Sequence, residues 1–235
     1  MNNNEVVKFL ILRSLGNFLF LLAIYGVLAT FGPALLYELE FHIAEFRGIH
    51  YTVSTASQAD NIGNNETKVT SPGFGNLLFG DKQQVIIAPD TRFSIVIPKI
   101  GAAAKIIPNV DPTDPSIYMP DLMKGVAHAK GSVFPGDKGT VYLFAHSTDT
   151  WWDVPKYNAV FYLVKDLKKG DEIVIFYDGK RYNYIVDQTE ITSPTDTSLL
   201  ENSHNTPPQL VLQTCYPPGT SLERLFVIAK PKKAT

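Results

Sequence analysis

DEIVIFYDGKRYNYIVDQTEI, residues 171–191, holds two β-rich runs joined by Asp178-Gly179. An Asp-Gly pair between alternating apolar residues is the strongest short-range hairpin signal, because both residues tolerate the positive φ of a tight turn. In the second run Tyr182, Tyr184 and Val186 alternate with Arg181, Asn183 and Asp187. That period of two buries one face and wets the other. Outward from this hairpin the same texture repeats. FSIVIPK (93–99) and GTVYLFAHS (139–147) read as strands, and QLVLQTC and ERLFVIAK (209–230) as two more around a Pro-Pro-Gly turn. Helical signals are few: NAVFYLVKDLKKG (158–170) suits a short helix with a glycine stop, and DPSIYMPDLMKG (114–125) a turn or two despite Pro120. Many short strands with short helices indicate a mostly-β barrel or sandwich, expected over residues 85–235.

The 235-residue chain is 45% hydrophobic and carries a formal charge of −2, enough apolar material for a core and no electrostatic case for binding nucleic acid. With one Cys it has no internal disulfide and no thiolate metal cluster. Its five His show no HxxxH or HExxH pairing, so neither a metal nor a cofactor is expected.

No charge interrupts Ser14 to Tyr37. A helix over that stretch reaches ~36 Å, enough for a hydrocarbon core of about 30 Å. Lys8 and Arg13 precede it while Glu38, Glu40 and Glu45 follow it. Positive residues stay inside, so 1–13 is read as cytoplasmic, 14–37 as a single-pass signal anchor, and the rest as extracellular. A cleaved leader is the competing reading, but its apolar region would be shorter and would end in a small-residue site, whereas this stretch ends in Leu-Leu-Tyr-Glu. Pro33 is expected to bend the helix, and Leu35, Leu39, Ile43 and Phe46 continue an apolar stripe. Residues 38–84 then read as a juxtamembrane segment and stalk, since 50–80 is rich in Ser, Thr, Asn, Gln and Gly.

Three side chains stand where chemistry can occur. Cys215 ends an apolar run just before Pro217-Pro218-Gly219, so it sits at a strand end. A buried inert thiol is the competing reading; a nearby imidazole and cation would favour the reactive thiolate. His146 likewise closes the run TVYLFA and is followed by Ser-Thr-Asp. His128 is its rival, more simply a hydrogen-bonded structural residue, while His42, His50 and His204 are expected in solvent. Arg224 is either a surface charge paired with Glu223 or Asp187, or a forked donor for a carbonyl or oxyanion.

These residues lie in segments that resemble the sortases, a family of membrane-anchored cysteine transpeptidases. The similarity runs from about Phe93 to Lys230. FSIVIPKIG resembles the family's first strand, KGVAHAKGSVFPGDKGTVYLFAHS its histidine region, and LQTCYPPGTSLERLFV its Thr-Cys…Arg signature. The resemblance implies an eight-stranded β-barrel, Cys215 as nucleophile, His146 as general acid/base, Arg224 as the substrate-orienting and transition-state arginine, and Thr214 beside the substrate groove. It also implies an LPxTG-like C-terminal sorting motif on surface proteins, and an amine acceptor from a peptidoglycan precursor or a pilin. Val211 stands where the signature usually has Thr, and Ala145 where the family usually has Gly. The short Cys-to-Arg spacing with its Pro-rich turn resembles classes C, D and E. No Asp-Pro-aromatic lid motif precedes Phe93, unlike typical pilin-polymerising class C enzymes. Two other readings remain: a membrane-tethered cysteine peptidase that gives its acyl group to water, and a non-catalytic surface β-domain.

Overall fold

The computed structural model describes residues 3–54, 83–147 and 161–233. Most of the expected stalk lies outside the described residues, as does the start of the expected helix 158–170.

Helix α1 (Asn3–Arg47) is continuous through Pro33. Its segment Glu5–Ala29 is long and apolar enough to cross a membrane and is wholly unburied by the rest of the molecule. Of the apolar stripe that follows, Ile43 packs beside Ala44, Ile49 and Tyr51, whereas Leu35, Leu39 and Phe46 are exposed.

Eight strands close a barrel: β3 (Phe93–Ile97), β4 (Ala102–Val110), β5 (Val126–Ala129), β6 (Thr140–Phe144), β7 (Glu172–Tyr177), β8 (Lys180–Thr192), β9 (Gln209–Tyr216) and β10 (Glu223–Pro231). The order around the wall is β10-β8-β7-β3-β4-β5-β6-β9. The barrel is therefore the closed version of the expected all-β architecture, and closure leaves no unpaired edge. At the 171–191 hairpin Asp178 (φ 49°) and Gly179 (φ 72°) are both left-handed, the type I′ geometry whose twist matches the flanking strands. Gly139, which opens β6, has φ 125°, and a Cβ there would run into the Ser203 carbonyl.

Residues alternate between two sides of this wall. Ile95, Ile97, Leu143, Ile173, Ile175, Tyr184, Val186, Leu210, Leu212 and Val227 fill the lumen. Their neighbours in sequence face out and are covered again. Tyr142, Phe144, Val211, Phe226 and Ile228 lie under helix α2 (Pro115–Leu122) and the short helix α3 (Ser198–Glu201) through Tyr118, Leu122, Leu199 and Leu200. Burial on both faces explains why β3 and β6, apart from Ser94 and Thr140, read as apolar runs rather than alternating ones.

A second outer layer covers Val96, Val174 and Phe176. It is a two-stranded parallel sheet of β1 (His50–Ser54) and β2 (Gln83–Ile87). The polar stretch read as stalk from residue 50 therefore begins with a strand. Tyr51 and Val53 supply its apolar face, and two such residues among polar neighbours are too faint a pattern to register in composition.

Candidate active site

Strand register brings the expected residues together. β9 and β10 pair antiparallel with Cys215 directly opposite Arg224. β6 and β9 pair parallel with Phe144 opposite Gln213, and the ladder continues one step as the Ala145 amide donates to the Gln213 carbonyl at 3.2 Å. The next position along β6 is His146, and along β9 it is Cys215.

Alternation fixes the direction of all three. Ala145, Thr214, Tyr216 and Leu225 belong to the lumen side, whereas Phe144 and Phe226 pack under α2 and α3. His146, Cys215 and Arg224 therefore fall on the outer face, in one row across three adjacent strands. All three are half-buried and line the same cleft.

The cleft has a volume of about 620 Å³. Its floor continues below the row through Phe144, Gln213 and Tyr142; Tyr118, Met119 and Leu122 of α2 form one wall, and Pro194, Asp196, Thr197 and Leu200 another. The β9–β10 turn, which contains a cis Tyr216–Pro217 bond, contributes Gly219, Thr220 and Ser221. The row thus sits at the polar end of a groove with an apolar flank, the usual make-up of a site that takes an extended ligand.

Arg224 is aimed by its own turn. One of its terminal nitrogens donates to the Glu223 carbonyl at 3.2 Å and reaches the Ser221 carbonyl at 3.4 Å. Among the described residues no carboxylate pairs with it. Asp187, the alternative partner, instead holds Lys169 at 3.0 Å and also bonds Lys230. Arg224 lines the cleft together with Cys215, its partner across the β9–β10 ladder.

Thr214 is buried, and its hydroxyl donates to the Ala145 carbonyl at 3.0 Å. That bond ties β9 to the backbone just before His146, so Thr214 holds the sulfur-bearing and imidazole-bearing strand ends side by side. It also borders the cleft.

His128 is fully buried and lies elsewhere in the barrel. The Asn109 amide donates to its Nδ1 at 3.4 Å, which leaves Nε2 to donate to the Val133 carbonyl at 3.0 Å. The ring stacks on Phe134 with centroids 4.5 Å apart. Burial holds its pKa below the usual 6.5, the hydrogen bond to Val133 opposing only in part. His128 is the neutral structural histidine of the pair. His204 is exposed, and so is His42, which sits near Glu38 and Glu45 at 3.9 and 4.0 Å.

Two cleft residues carry no signal in the sequence. The Tyr142 hydroxyl donates to Gln213 Oε1, and burial first, then the Asp196 charge, pushes its pKa far up, with Arg224 opposing. Asp196 accepts from the Ser198 amide at 3.0 Å, and its bonds to Ser198 lower its pKa, so it stays ionised in the cleft. Tyr142 looks like any strand tyrosine, and Asp196 like any turn residue, until the folded barrel brings β6 and the loop after β8 to the same cleft.

The sortase-domain family profile matches residues 95–232. Sortase D of Bacillus subtilis (strain 168) is 33% identical over 137 residues, 57% of this chain and 60% of that relative, so the chain spans less than two thirds of its length. Among solved structures, sortase C-1 of Actinomyces oris superposes with a TM-score of 0.50 at 26% identity, covering 62% of this chain and 76% of that one. Sortase C1 of Streptococcus agalactiae, in complex with MTSET, gives a TM-score of 0.50 at 23% identity over 61% of this chain and 68% of that one, a likeness of fold. A family profile covering more than half the sequence and a closed eight-stranded barrel lead to one assignment: this chain belongs to the sortase family of transpeptidases.

Proposed function

We propose that the protein is a membrane-anchored cysteine transpeptidase whose reacting groups are Cys215, His146 and Arg224. The observation that carries this reading is the row itself: an imidazole-bearing strand end, a thiol and a guanidinium on neighbouring strands, all facing one cleft.

In the first half-reaction the Cys215 thiolate adds to the carbonyl of the residue before the scissile bond of an LPxTG-like motif. Arg224 donates to the oxyanion as the C–S bond forms. The C–N bond then breaks, and the His146 imidazolium gives its proton to the departing amine, leaving a thioester on Cys215. In the second half an amine from a peptidoglycan precursor or a pilin adds to the thioester. His146 takes its proton, and the thiolate returns as the new amide forms. No net oxidation occurs and no metal is needed for the proton balance. The helix at the N-terminus holds the enzyme in the membrane, with 1–13 cytoplasmic and the barrel outside. Surface proteins bearing the motif are thus met at the same surface, where tethering raises their effective concentration.

The test is cleavage of sorting-motif peptides by the purified protein, with product masses read with and without an added oligoglycine. Cys215→Ala abolishes cleavage, and His146→Ala or Arg224→Ala lowers kcat/KM by about 10²–10⁴-fold. Full activity in Cys215→Ala overturns the reading, and products of water alone in excess amine turn it into a peptidase.

A further inference from the structure

The strand directions give the barrel a cleft end and a far end. The cleft end carries the C-termini of β6 and β9 and the N-terminus of β10. Following the pairings around the wall, the same end carries the C-terminus of β3 and the N-termini of β4 and β7. Besides the β9–β10 turn, two connections lie at this end. One is the 3-10 turn Pro98–Ile100. The other is the segment leading into β7, whose 3-10 turn is Leu163–Asp166 and whose Phe161, Val164 and Leu167 plug the lumen.

The last turns of α1 are fastened to these two connections. Glu38 Oε1 accepts from Lys165 Nζ at 2.6 Å and from the Tyr162 hydroxyl at 3.0 Å. Lys165 also bonds Asp166 at 3.0 Å and lies 5.3 Å from the Tyr162 ring centroid. Both partners are three-quarters covered, with 21% of the Lys165 side chain and 26% of the Glu38 side chain exposed. Burial works against the Lys165 charge, but the bonds to Glu38 and Asp166 outweigh it and raise its pKa. One helical stretch further on, Lys99 Nζ meets Glu45 Oε1 at 2.7 Å and the Phe41 ring at 5.9 Å. Glu38 is the first charge after the charge-free stretch 14–37.

We propose that Glu38, Tyr162 and Lys165, with Glu45 and Lys99, are positioning residues that lock the cleft end of the barrel to the emerging membrane helix. The cleft then stands at one fixed, short height above the bilayer, and the enzyme selects motifs held at that height by a short spacer to an anchor in the same membrane. This rests on the transpeptidase and membrane-anchor readings above. Two clamps about 10 Å apart along one helix, from Glu38 to Glu45, oppose both swinging and twisting. A single exposed pair holds little, so the shared Glu38 acceptor and the second clamp matter to the outcome.

The experiment uses the full chain in liposomes with two readouts. Because Cys215 is the single cysteine, a donor dye placed on it reports its distance to an acceptor at the lipid surface. The distance distribution is narrow in the native sequence. A seven-residue helix-forming insert between Tyr37 and Glu38 shifts it outward by about 10 Å. Glu38→Ala with Lys165→Ala broadens it, and the exchange Glu38→Lys with Lys165→Glu restores the narrow form. With unlabelled enzyme, the same insert lengthens the shortest productive substrate spacer by about three residues, and the alanine pair blurs that threshold. A water-soluble motif peptide is cut at an unchanged rate, within about 2-fold, by every variant. A distribution equally broad with and without the clamp overturns the proposal whatever the activity. Absence of any peptide cleavage with a narrow, clamp-dependent distance instead removes the transpeptidase reading and leaves the lock standing.

Discussion

Arg224 and Cys215 face each other as a registered pair, so the guanidinium is delivered by β-sheet geometry rather than by a flexible loop. Its planar fork can donate to two oxygens at once, which a lysine ammonium of the same charge does not match. Arg224→Lys is therefore expected to lower kcat/KM by about 10²-fold with a smaller change in KM, measured on a motif peptide. At His128 a different property is testable. Its folded pKa lies below the ordinary 6.5, so the unfolded chain binds the extra proton. Its share of stability is whole above pH ~6.5 and is lost as pH falls from there through the depressed folded value. Thermal unfolding from pH 8 to pH 5 should show Tm falling in that window, and His128→Gln should flatten this part of the fall. At this scale the sequence was legible where chemistry and position coincided. His146 was separable from His128 because polar residues follow it directly, marking a strand exit. Asp196 was not, because its place in the cleft depends on a register that only the folded barrel sets.

The strands of the wall carry two apolar faces, and a cut on either one has a definite consequence. Leu212→Ala empties a fully buried lumen position and is expected to lower stability by about 2–5 kcal/mol in denaturant unfolding. Thr214→Val keeps the volume but removes the bond to the Ala145 carbonyl. It should lower stability by about 1–3 kcal/mol and reduce turnover more than soluble-peptide binding, because it frees His146 relative to the sulfur. The hairpin at 171–191 and the runs at 93, 139, 209 and 223 were readable from alternation and turn residues. The segment 158–170 was less so. Its described part winds as a 3-10 turn at Leu163–Asp166, and the buried Phe161, Val164 and Leu167 recur every three residues, the period of that tighter helix. An α-helical template counts those positions poorly.

At the scale of the whole molecule, β1 and β2 make the region before Phe93 part of the folded unit. They cover Val96, Val174 and Phe176, and β2 continues toward β3 through the buried Ala88. A chain beginning at Asp90 would leave that apolar patch bare, and light scattering should show it associating at concentrations where a chain beginning at Gly48 stays monodisperse. A mostly-β barrel or sandwich was legible from strand and turn spacing, and the eight-stranded barrel through the family resemblance, but this outer layer was not, since its two strands are separated in sequence by 28 residues that carry no strand pattern. Under the proposed transfer reaction, the placement of His146, Cys215 and Arg224 on the exterior of the filled barrel has a last implication. A pit entered from the top admits only a chain terminus, whereas a trough along a wall is open at both ends. A protein can lie across such a trough in mid-chain, shed its tail from one end once cut, and leave the other approach clear for a bulky incoming amine, so that severing and joining need not wait for each other's debris to clear.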